Sequence, residues 1–385
     1  MNQEIYADYN ATYPLSSKHL DQLKEILTAS TCANPSSTHR SGRRAKALLE
    51  EARQDVANLI GASFEDLFFT SGATEANNLF FEAFFRKHLK NSKKSLNVLT
   101  TISEHPSLLN PLLRLEKEGK CQLDFLELEE FGLITPLELQ KKLQNKDYDL
   151  LTFAHVNGEV GIVQDLKNLG KVLMTLKEKP HLHLDGAQAL GKVNCQDVVS
   201  LGVDSYSASG HKLGSLTGCG FLFLKNSVKQ SFLPSFLGGG QERGFRPGTE
   251  NLPGILSFAL RAKDCLNKSQ DNSKLAKEFK DLAKNLSGLK GLKLNKPPKV
   301  GLSSTISLFI ENMPKELLVL ELEERGIVAA TGSACSSGSQ KPSPTLKAIK
   351  ASSWAQFNSI RLSFSCETTK KELDRIFEVF KAITS

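Results

Sequence analysis

The chain has 385 residues, 40% of them hydrophobic and 24% charged, which is enough for one large folded core and a second, smaller one. Its 49 Lys and Arg exceed its 42 Asp and Glu by 49 − 42 = 7, and this excess is spread along the chain, which argues against a nucleic-acid-binding surface. The seven cysteines are scattered without a CxxC pair, which argues against a disulfide framework or a structural zinc site.

Scattered cysteines also fit a reducing compartment. The amino-terminal residues 1–4 are not the basic start of a signal peptide, and no apolar run approaches the length needed to cross a bilayer. We therefore expect a soluble, cytoplasmic protein that does not contact membranes.

The first part of the chain predicts two helices after a short extended segment. Residues 5–14 are extended and end at a proline. Apolar residues near helical spacing predict helices over about 17–27 and 41–59, and Gly61 ends the second one. A polar, turn-rich loop over 32–39 separates them.

From residue 67 onward, apolar strands alternate with helical stretches. Thr135 and Pro136 predict the N-cap and first residue of one such helix. The alternation predicts a mostly parallel sheet covered on both faces, with its ligand site beyond the carboxyl ends of the strands. The predicted strands are 67–69, 98–102, 150–155, 182–185, 204–209 and 221–224.

The pattern changes after the Pro253-Gly254 pair. The remaining chain predicts lysine-rich helices over 255–288, a strand over 305–310, a helix over 316–325, a loop over 331–345, a strand over 359–363 and a closing helix over 368–383. We expect a large α/β domain over 15–254, and a small α+β domain formed by 1–14 and 255–385.

One lysine stands out because of its neighbours. Lys212 ends the segment Ser207-Ala208-Ser209-Gly210-His211-Lys212 after a predicted strand, and a Gly-rich turn over 213–220 follows. A buried lysine amine with a lowered pKa can form a Schiff base with an aldehyde cofactor. By itself, however, this hexapeptide also fits a loop lysine that points into solvent, as most lysines do.

The predicted strand that ends at Asp185 precedes Lys212 by about one strand–turn unit. A carboxylate beside a pyridine nitrogen keeps that ring protonated, which is the pattern of pyridoxal 5'-phosphate (PLP) sites. His181, His183 and Asp185 would share one face of the strand, which also permits a metal site. The metal interpretation is the weaker one, because no further histidine or cysteine cluster stands nearby.

Three further segments suggest chemistry. Residues 71–74, at a strand-to-helix junction, offer backbone N–H groups to a phosphate, although many such turns are simple helix caps. Cys335 lies in a loop of small residues where a thiol is available for reaction, or where it is incidental. Arg361 interrupts an apolar strand and can bind a carboxylate through two hydrogen bonds, or form a surface ion pair.

Taken together, the segments resemble the cysteine desulfurases, which are class V aminotransferase-type, fold type I PLP enzymes, and within them the nitrogen-fixation and iron–sulfur-cluster group. Each match is weak alone, but their order and spacing make the resemblance specific. It runs through residues 8–12, 34–37, 69–75, 104–105, 155–161, 185–188, 209–212, 238–243, 246–249, 332–335 and 360–361.

The resemblance implies a large domain with a mostly parallel, seven-stranded sheet and a smaller carboxyl-terminal α+β domain. It implies that Lys212 holds PLP and moves protons, that His105 stacks on the ring, and that the nucleophile is Cys335. The remaining roles it implies are these: Asp185 at the ring nitrogen, Gln188 at the phenolic oxygen, Ala73, Thr74, Ser209 and His211 at the phosphate, Thr249 at the phosphate of the neighbouring subunit, and Asn157 and Arg361 at the substrate carboxylate, with Asn157 also beside the cofactor.

The implied reaction converts L-cysteine to L-alanine and leaves its sulfur on Cys335 as a persulfide. The implied partners are a second copy of the chain and a sulfur acceptor, either an iron–sulfur scaffold or a tRNA-thiolation enzyme. Alternatives are a selenocysteine lyase or a class V transaminase on the same scaffold. A catalytically weak sulfur-relay protein is also possible, because Gly158 replaces the second asparagine of the family's Asn-Asn-Glu and the 213–218 turn differs.

Overall fold

The computed structural model describes residues 4–30, 33–91, 94–229, 232, 236–267, 273–297, 299–332 and 341–385. Its strands are β1 (Ile5–Tyr6), β2 (Leu67–Thr70), β3 (Leu96–Thr100), β4 (Cys121–Phe125), β5 (Leu150–Ala154), β6 (His181–Asp185), β7 (Ser205–Ser209), β8 (Gly220–Leu224), β9 (Leu292–Leu294), β10 (Thr305–Ile310), β11 (Ile327–Val328) and β12 (Ile360–Ser363).

The α-helices lie between and after these strands. They are α1 (Ser17–Ser30), α2 (Arg40–Asn58), α3 (Ala73–Asn91), α4 (Pro106–Lys117), α5 (Pro136–Asn145), α6 (Leu166–Met174), α7 (Asn226–Lys229), α8 (Leu252–Asn267), α9 (Ser273–Ser287), α10 (Lys315–Glu324), α11 (Pro344–Ala348), α12 (Ser353–Asn358) and α13 (Lys370–Thr384).

A seven-stranded sheet in the order β2-β8-β7-β6-β5-β3-β4 forms the centre of the molecule. Only β8 runs against its neighbours, β2 and β7, so the predicted mostly parallel sheet is confirmed. The other six strands therefore end at one edge of the sheet. The loops that follow β2, β3, β5, β6 and β7 meet at that edge.

Helices cover both faces of this sheet, as predicted. Because side chains alternate along a strand, Phe69 joins one apolar cluster with α2 and α8, while Phe68 joins another with α3 and α4. The second cluster is rich in phenylalanine, and Phe80 and Phe84 are fully buried in it. Burial of such rings supplies much of the apolar area that stabilises the fold.

A second, antiparallel sheet has the order β12-β10-β9. It packs with α9, α10 and α13 in a separate apolar cluster that includes Leu308, Leu362 and Ile376. The amino-terminal segment reaches this cluster, because Ile5 of β1 is buried in it and pairs with Ile327 of β11. The amino-terminal segment and the carboxyl-terminal part of the chain thus share one apolar cluster.

The sequence predicted a domain boundary near residue 255, and the structure shows which apolar cluster each helix near that position joins. Helix α8, which begins at Leu252, packs on α2 and buries Phe258 and Ala262 in the cluster of the first sheet. The following helix, α9, buries Phe279 in the cluster of the second sheet. We therefore propose that any domain boundary lies after Asn267 and not before α8.

The helices and strands predicted from the sequence are present in the structure, and their first and last residues differ only slightly from those predicted. The helix predicted over 41–59 is α2, and Thr135 caps α5 by accepting a hydrogen bond from the Glu138 N–H at 3.2 Å. The sequence reasoning missed β4, whose residues are mostly half-buried at the sheet edge. In the described part of the chain, no helix combines the length and apolarity that crossing a membrane requires.

Candidate active site

Lys212 lies where the sequence predicted a ligand site, directly after β7. The turn Gly210–Lys212 is tight, because a Cβ on Gly210 would lie 2.4 Å from Ser215 Oγ, which only glycine avoids. The Lys212 amine donates to the backbone oxygens of Asn10 at 2.6 Å and Ala11 at 2.7 Å. The residue is half-buried and its amine is held by the amino-terminal segment, so it does not extend into open solvent.

Asp185 ends β6, the strand next to β7, and pairs in register with Ser207. The carboxylate is buried and accepts hydrogen bonds from the Asn77 side-chain amide at 2.9 Å and from the Ala187 N–H at 2.9 Å. The two hydrogen bonds fix the position of this carboxyl group at the edge of the sheet.

His105 is the N-cap of α4, beyond β3. Its Nδ1 accepts from the Ser107 N–H at 3.1 Å and lies 2.8 Å from Ser107 Oγ. Burial of the ring and the nearby charge of Lys212 lower the pKa of His105, and Asp185 opposes them. The side chain that the sequence assigned to the site is thus within electrostatic reach of both other residues.

The start of α3 has the features of an anion site. Ala73 and Thr74 begin the helix, where backbone N–H groups and the helix dipole favour negative charge. A Cβ on Gly72 would lie 3.5 Å from Ser209 Oγ, so the end of β7 borders this turn. Burial and the Lys212 charge lower the pKa of His211 to about 4, and its Nδ1 lies 3.1 Å from Thr12 Oγ1.

Gln188 and Asn157 are both held in fixed orientations. Gln188 Nε2 donates to the Asn10 backbone oxygen at 2.8 Å, and its Oε1 accepts from Lys192 Nζ at 2.5 Å. Asn157 Oδ1 accepts from the Glu159 and Val160 N–H groups at 2.9 and 3.0 Å. Its amide nitrogen lies on the other side, 3.3 Å from the Ser103 oxygen.

Arg361 is buried in β12 and is not the surface arginine that the sequence left open. Its guanidinium donates to Asp8 Oδ1 at 2.6 Å and to the Gly158 oxygen at 3.1 Å. Its Nε is buried and has no hydrogen-bond partner among the described residues. A buried cation with an unused donor is a suitable binding point for a carboxylate.

Two predicted residues are not assembled with the others. Thr249 is exposed, in a segment joined to α3 by the ion pair of Arg246 with Glu75 at 2.7 Å. No described contact joins Thr249 itself to the other predicted site residues of the chain. Cys335 falls outside the described residues.

The metal interpretation finds no support in the described ranges. No group of three or more His, Cys, Asp or Glu side chains there is placed to hold a metal ion. His181 Nε2 and His183 Nδ1 each lie 2.8 Å from Ser205 Oγ, and His183 stacks on Phe80 with ring centroids 4.0 Å apart. Burial lowers the pKa of both histidines, which keeps them neutral.

Sequence reasoning missed two residues that support the site. Asn77, fully buried on α3, donates to Asp185 and accepts from Ser207 Oγ at 2.5 Å. Glu104 is also buried, and this burial together with Asp185 raises its pKa to about 8. The available signal for Asn77 was a polar residue on the inward face of a predicted helix, three positions after Thr74.

The residues present fit PLP in chemical type. An anion site at the start of α3, a lysine amine after β7 and a buried carboxylate at the end of β6 correspond to its phosphate, aldehyde and ring nitrogen. Gly158 adds room beside Gln188, because a Cβ there would lie 3.1 Å from Gln188 Cγ and Nε2. The site can therefore accept a flat, anionic cofactor.

Comparison with known proteins agrees with this geometry. The family model described as Aminotransferase class-V matches residues 5–376. "Cysteine desulfurase IscS 1" of Archaeoglobus fulgidus is 30% identical over 98% of this chain and 96% of its own length. The "NifS/IcsS protein homolog" of Lactobacillus delbrueckii subsp. bulgaricus is 33% identical over 98% of this chain and 97% of its own.

Solved structures give the same result. A structure titled "NIFS-LIKE PROTEIN" superposes with a TM-score of 0.87 at 28% identity, and covers 99% of both chains. A NifS-like protein from Rickettsia africae superposes with a TM-score of 0.84 at 26% identity, again over 99% of both chains. The similarity therefore extends over both sheets and not only over the candidate site.

Proposed function

This chain belongs to the class-V aminotransferase family, and from that membership we propose that it is a PLP-dependent cysteine desulfurase that converts L-cysteine to L-alanine. The observation that carries the proposal is the placement of Lys212 and Asp185 at the ends of adjacent strands, with His105 under the influence of both charges. Relatives named as cysteine desulfurases, similar over nearly the whole chain, support the choice of reaction.

We assign the cofactor contacts as follows. Lys212 would hold the aldehyde group of PLP through its amine and would move protons at the reacting carbon. Asp185 would hold a proton on the ring nitrogen, His105 would contact the ring, and Gln188 would donate to the phenolic oxygen. PLP, when bound, supplies an electron sink. The phosphate is assigned to Ala73, Thr74, Ser209 and His211, with Thr249 from the neighbouring subunit.

The substrate carboxylate is assigned to Arg361 and Asn157. Arg361 Nε is an unused buried donor, and the guanidinium is fixed by Asp8, so little side-chain entropy is lost on binding. Asn157 has its oxygen occupied by two backbone N–H groups, so a carboxylate would bind its amide nitrogen in place of the Ser103 oxygen at 3.3 Å or Thr345 Oγ1 at 3.5 Å. These contacts would orient L-cysteine with its carboxylate away from Lys212.

The sulfur is assigned to Cys335. Its thiolate attacks the sulfur of L-cysteine, the carbon–sulfur bond breaks, and the carbon gains a proton. L-cysteine and the thiol thus give L-alanine and a persulfide on Cys335, with no other reactant. The carbon gains two electrons, and the two sulfur atoms that form the persulfide bond lose one each, so the step needs no external oxidant.

We further propose a homodimer, because the role given to Thr249 needs a second copy of the chain. The persulfide sulfur would pass to an acceptor protein, either an iron–sulfur scaffold or a tRNA-thiolation enzyme. Scattered cysteines without a CxxC pair support a location in a reducing cytoplasm. Sedimentation of the PLP-loaded protein and capture of the persulfide acceptor test the first two statements.

The decisive assay measures L-alanine formed from L-cysteine by PLP-loaded protein. We expect steady turnover, a loss of at least a thousandfold for Lys212→Ala, and a comparable loss for Cys335→Ala. Cys366→Ala, a change at an exposed cysteine, is the matched control and should keep wild-type turnover. Wild-type turnover by Cys335→Ala in saturating reductant would refute the persulfide role.

The same assay separates the alternatives. A selenocysteine lyase would prefer L-selenocysteine and leave L-cysteine largely unreacted. A transaminase would consume a 2-oxo acid in proportion to the amino acid and would not need Cys335. Either result would replace the proposed reaction while retaining the cofactor.

A further inference from the structure

Lys192 is a half-buried lysine that the proposed reaction does not use. Its amine donates to Gln188 Oε1 at 2.5 Å and to Asn10 Oδ1 at 2.6 Å. Taking a lysine ammonium group even partly out of water is costly, so such a position needs hydrogen-bond acceptors. Its two contacts are amide oxygens, and both belong to residues that touch the Lys212 region.

The charges around Lys192 do not form a simple ion pair. Burial, Lys212 and Arg361 lower the pKa of Lys192 far below its usual range, and Asp8 alone opposes them. A neutral amine has two N–H groups and the ammonium form has three, so the two hydrogen bonds persist in either form. Lys192 therefore supplies two hydrogen-bond donors in either protonation state.

The N–H that Lys192 donates to Gln188 Oε1 sets the orientation of the Gln188 amide. The two ends of a glutamine amide are nearly equal in shape but opposite in hydrogen bonding. With Lys192 donating, the oxygen must face Lys192 and the nitrogen must face the Asn10 backbone oxygen, 2.8 Å away. One N–H of Gln188 is then used, and the other stays available for an acceptor.

Asn10 links this arrangement to the second sheet. It is only 2% exposed, and its side-chain nitrogen donates to Thr305 Oγ1 and to the Gly158 oxygen, each at 3.1 Å. Its backbone N–H donates to Ser363 Oγ at 2.9 Å. The Asn10 backbone oxygen accepts from both Gln188 and Lys212, so the position of one residue constrains two groups of the site.

We propose that Lys192, anchored on Asn10, is a positioning residue that fixes the Gln188 amide so that its second N–H serves the phenolic oxygen of the cofactor. The proposal rests on the proposed function, because it needs a bound PLP. Lys192 itself does not touch the cofactor. Its effect passes through Gln188, and this dependence is what an experiment can isolate.

The test is a double-mutant cycle of Lys192→Met and Gln188→Ala, with Lys171→Met on the exposed face of α6 as the control for loss of a lysine. Two quantities are measured on each variant: the dissociation constant of PLP from absorbance titration, and the pH midpoint of the visible band of the lysine-bound cofactor. Neither is an activity of the loaded enzyme.

We expect Lys192→Met to weaken PLP binding about fivefold, the size of one net hydrogen bond. The midpoint of the visible band should rise by about 0.7 pH unit, the same factor, because an N–H donor stabilises the ionised phenolic oxygen. In the Gln188→Ala background, Lys192→Met should change neither quantity. Lys171→Met should match the wild type.

Equal effects of Lys192→Met in both backgrounds, or a wild-type midpoint for Lys192→Met alone, would overturn the role of Lys192 and leave the cofactor assignment intact. A wild-type protein without a visible band in PLP would overturn both proposals. If Lys192→Met does not fold, Asn10→Ser, which removes the anchoring oxygen of Asn10, must raise the midpoint in the same direction. A wild-type midpoint for a folded Asn10→Ser would then refute the proposal.

Discussion

Gly158 lies so close to Gln188 that any side chain at position 158 would displace Gln188. A Cβ there would lie 3.1 Å from Gln188 Cγ and Nε2, closer than carbon atoms normally approach, so Gln188 would have to move. We expect Gly158→Asn, which introduces the asparagine that the resemblance implied here, to weaken PLP binding about three- to tenfold, at a cost of about 1 kcal/mol. Titration of the apoprotein with PLP measures this.

Gly240→Ala is the matched control, because a Cβ on Gly240 meets nothing within 4 Å. It should bind PLP as the wild type does. Unchanged affinity in Gly158→Asn would mean that Gln188 moves freely, which contradicts the fixed orientation described above.

A second single-residue prediction concerns acid stability. His155 is buried, its Nδ1 lies 3.1 Å from Tyr206 Oη, and burial lowers its pKa from 6.5 to about 4. Because the folded state keeps this ring neutral, its contribution to stability is complete above pH 6.5. The contribution falls by about 1.4 kcal/mol per pH unit as the pH drops toward 4.

Replacing the ring should remove that part of the pH dependence. We expect His155→Asn to be less stable at pH 7, with a slope of unfolding free energy against pH that is flatter by about 1.4 kcal/mol per unit between pH 4.5 and 6. Urea unfolding at several pH values measures the slope. An identical slope in the two proteins would show that His155 is protonated in the folded state.

At the scale of elements, a buried ion pair holds the turn Gln241–Gly244 against α2. Arg53 of α2 donates to Glu242 at 2.6 and 2.8 Å, and Glu242 also accepts from the Phe69 N–H of β2 at 2.7 Å. Glu242 adopts a left-handed conformation, with φ of 46°, so the pair supports a strained turn.

Breaking this pair should cost more than surface pairs do. We expect Arg53→Met and Glu242→Gln each to lower the unfolding free energy by about 3 kcal/mol, since each leaves a buried partner unsatisfied. The double variant should lose at least 1 kcal/mol less than the sum. Urea unfolding of the four proteins tests this, and strict additivity would mean that the two side chains act independently.

Strands were predicted best from the sequence where several consecutive apolar residues were followed by a polar turn. Strands β2 and β5 are buried, mostly apolar segments that end in polar turns, so both their type and their carboxyl ends were readable. Strands β1 and β11 have two residues each and exist only because Ile5 pairs with Ile327 across the chain. No local pattern encodes a pairing between such distant residues.

At the scale of the whole molecule, local sequence patterns also fail to predict the contacts in the site that join distant residues. Motif resemblance supplied Lys212, Asp185 and Gln188, because each ends or follows a predicted strand. It did not supply Asn77, which lies 108 residues from Asp185, nor Lys192, whose partner Asn10 is 182 residues away. These supporting contacts depend on how α3 and the amino-terminal segment fold onto the sheet, which hydrophobic periodicity does not specify.

The amino-terminal segment gives the last prediction. Asp8, which follows β1, accepts from Arg361 of β12 at 2.6 Å, and Arg361 also donates to the Gly158 oxygen beside the first sheet. The pair thus joins three distant parts of the chain, and the Arg361 side chain is only 5% exposed. Asp8→Asn would remove the ion-pair partner of this buried guanidinium.

We expect Asp8→Asn to lower the unfolding free energy by about 3 kcal/mol, the cost of breaking a buried pair from one side. Asp21→Asn, at an exposed position of α1, should change it by less than about 0.5 kcal/mol. Urea unfolding at pH 7 measures both. Added L-alanine, whose carboxylate supplies the missing charge, should recover part of the loss in Asp8→Asn by preferential binding to the folded state. No recovery in L-alanine would show that Arg361 does not receive the substrate carboxylate.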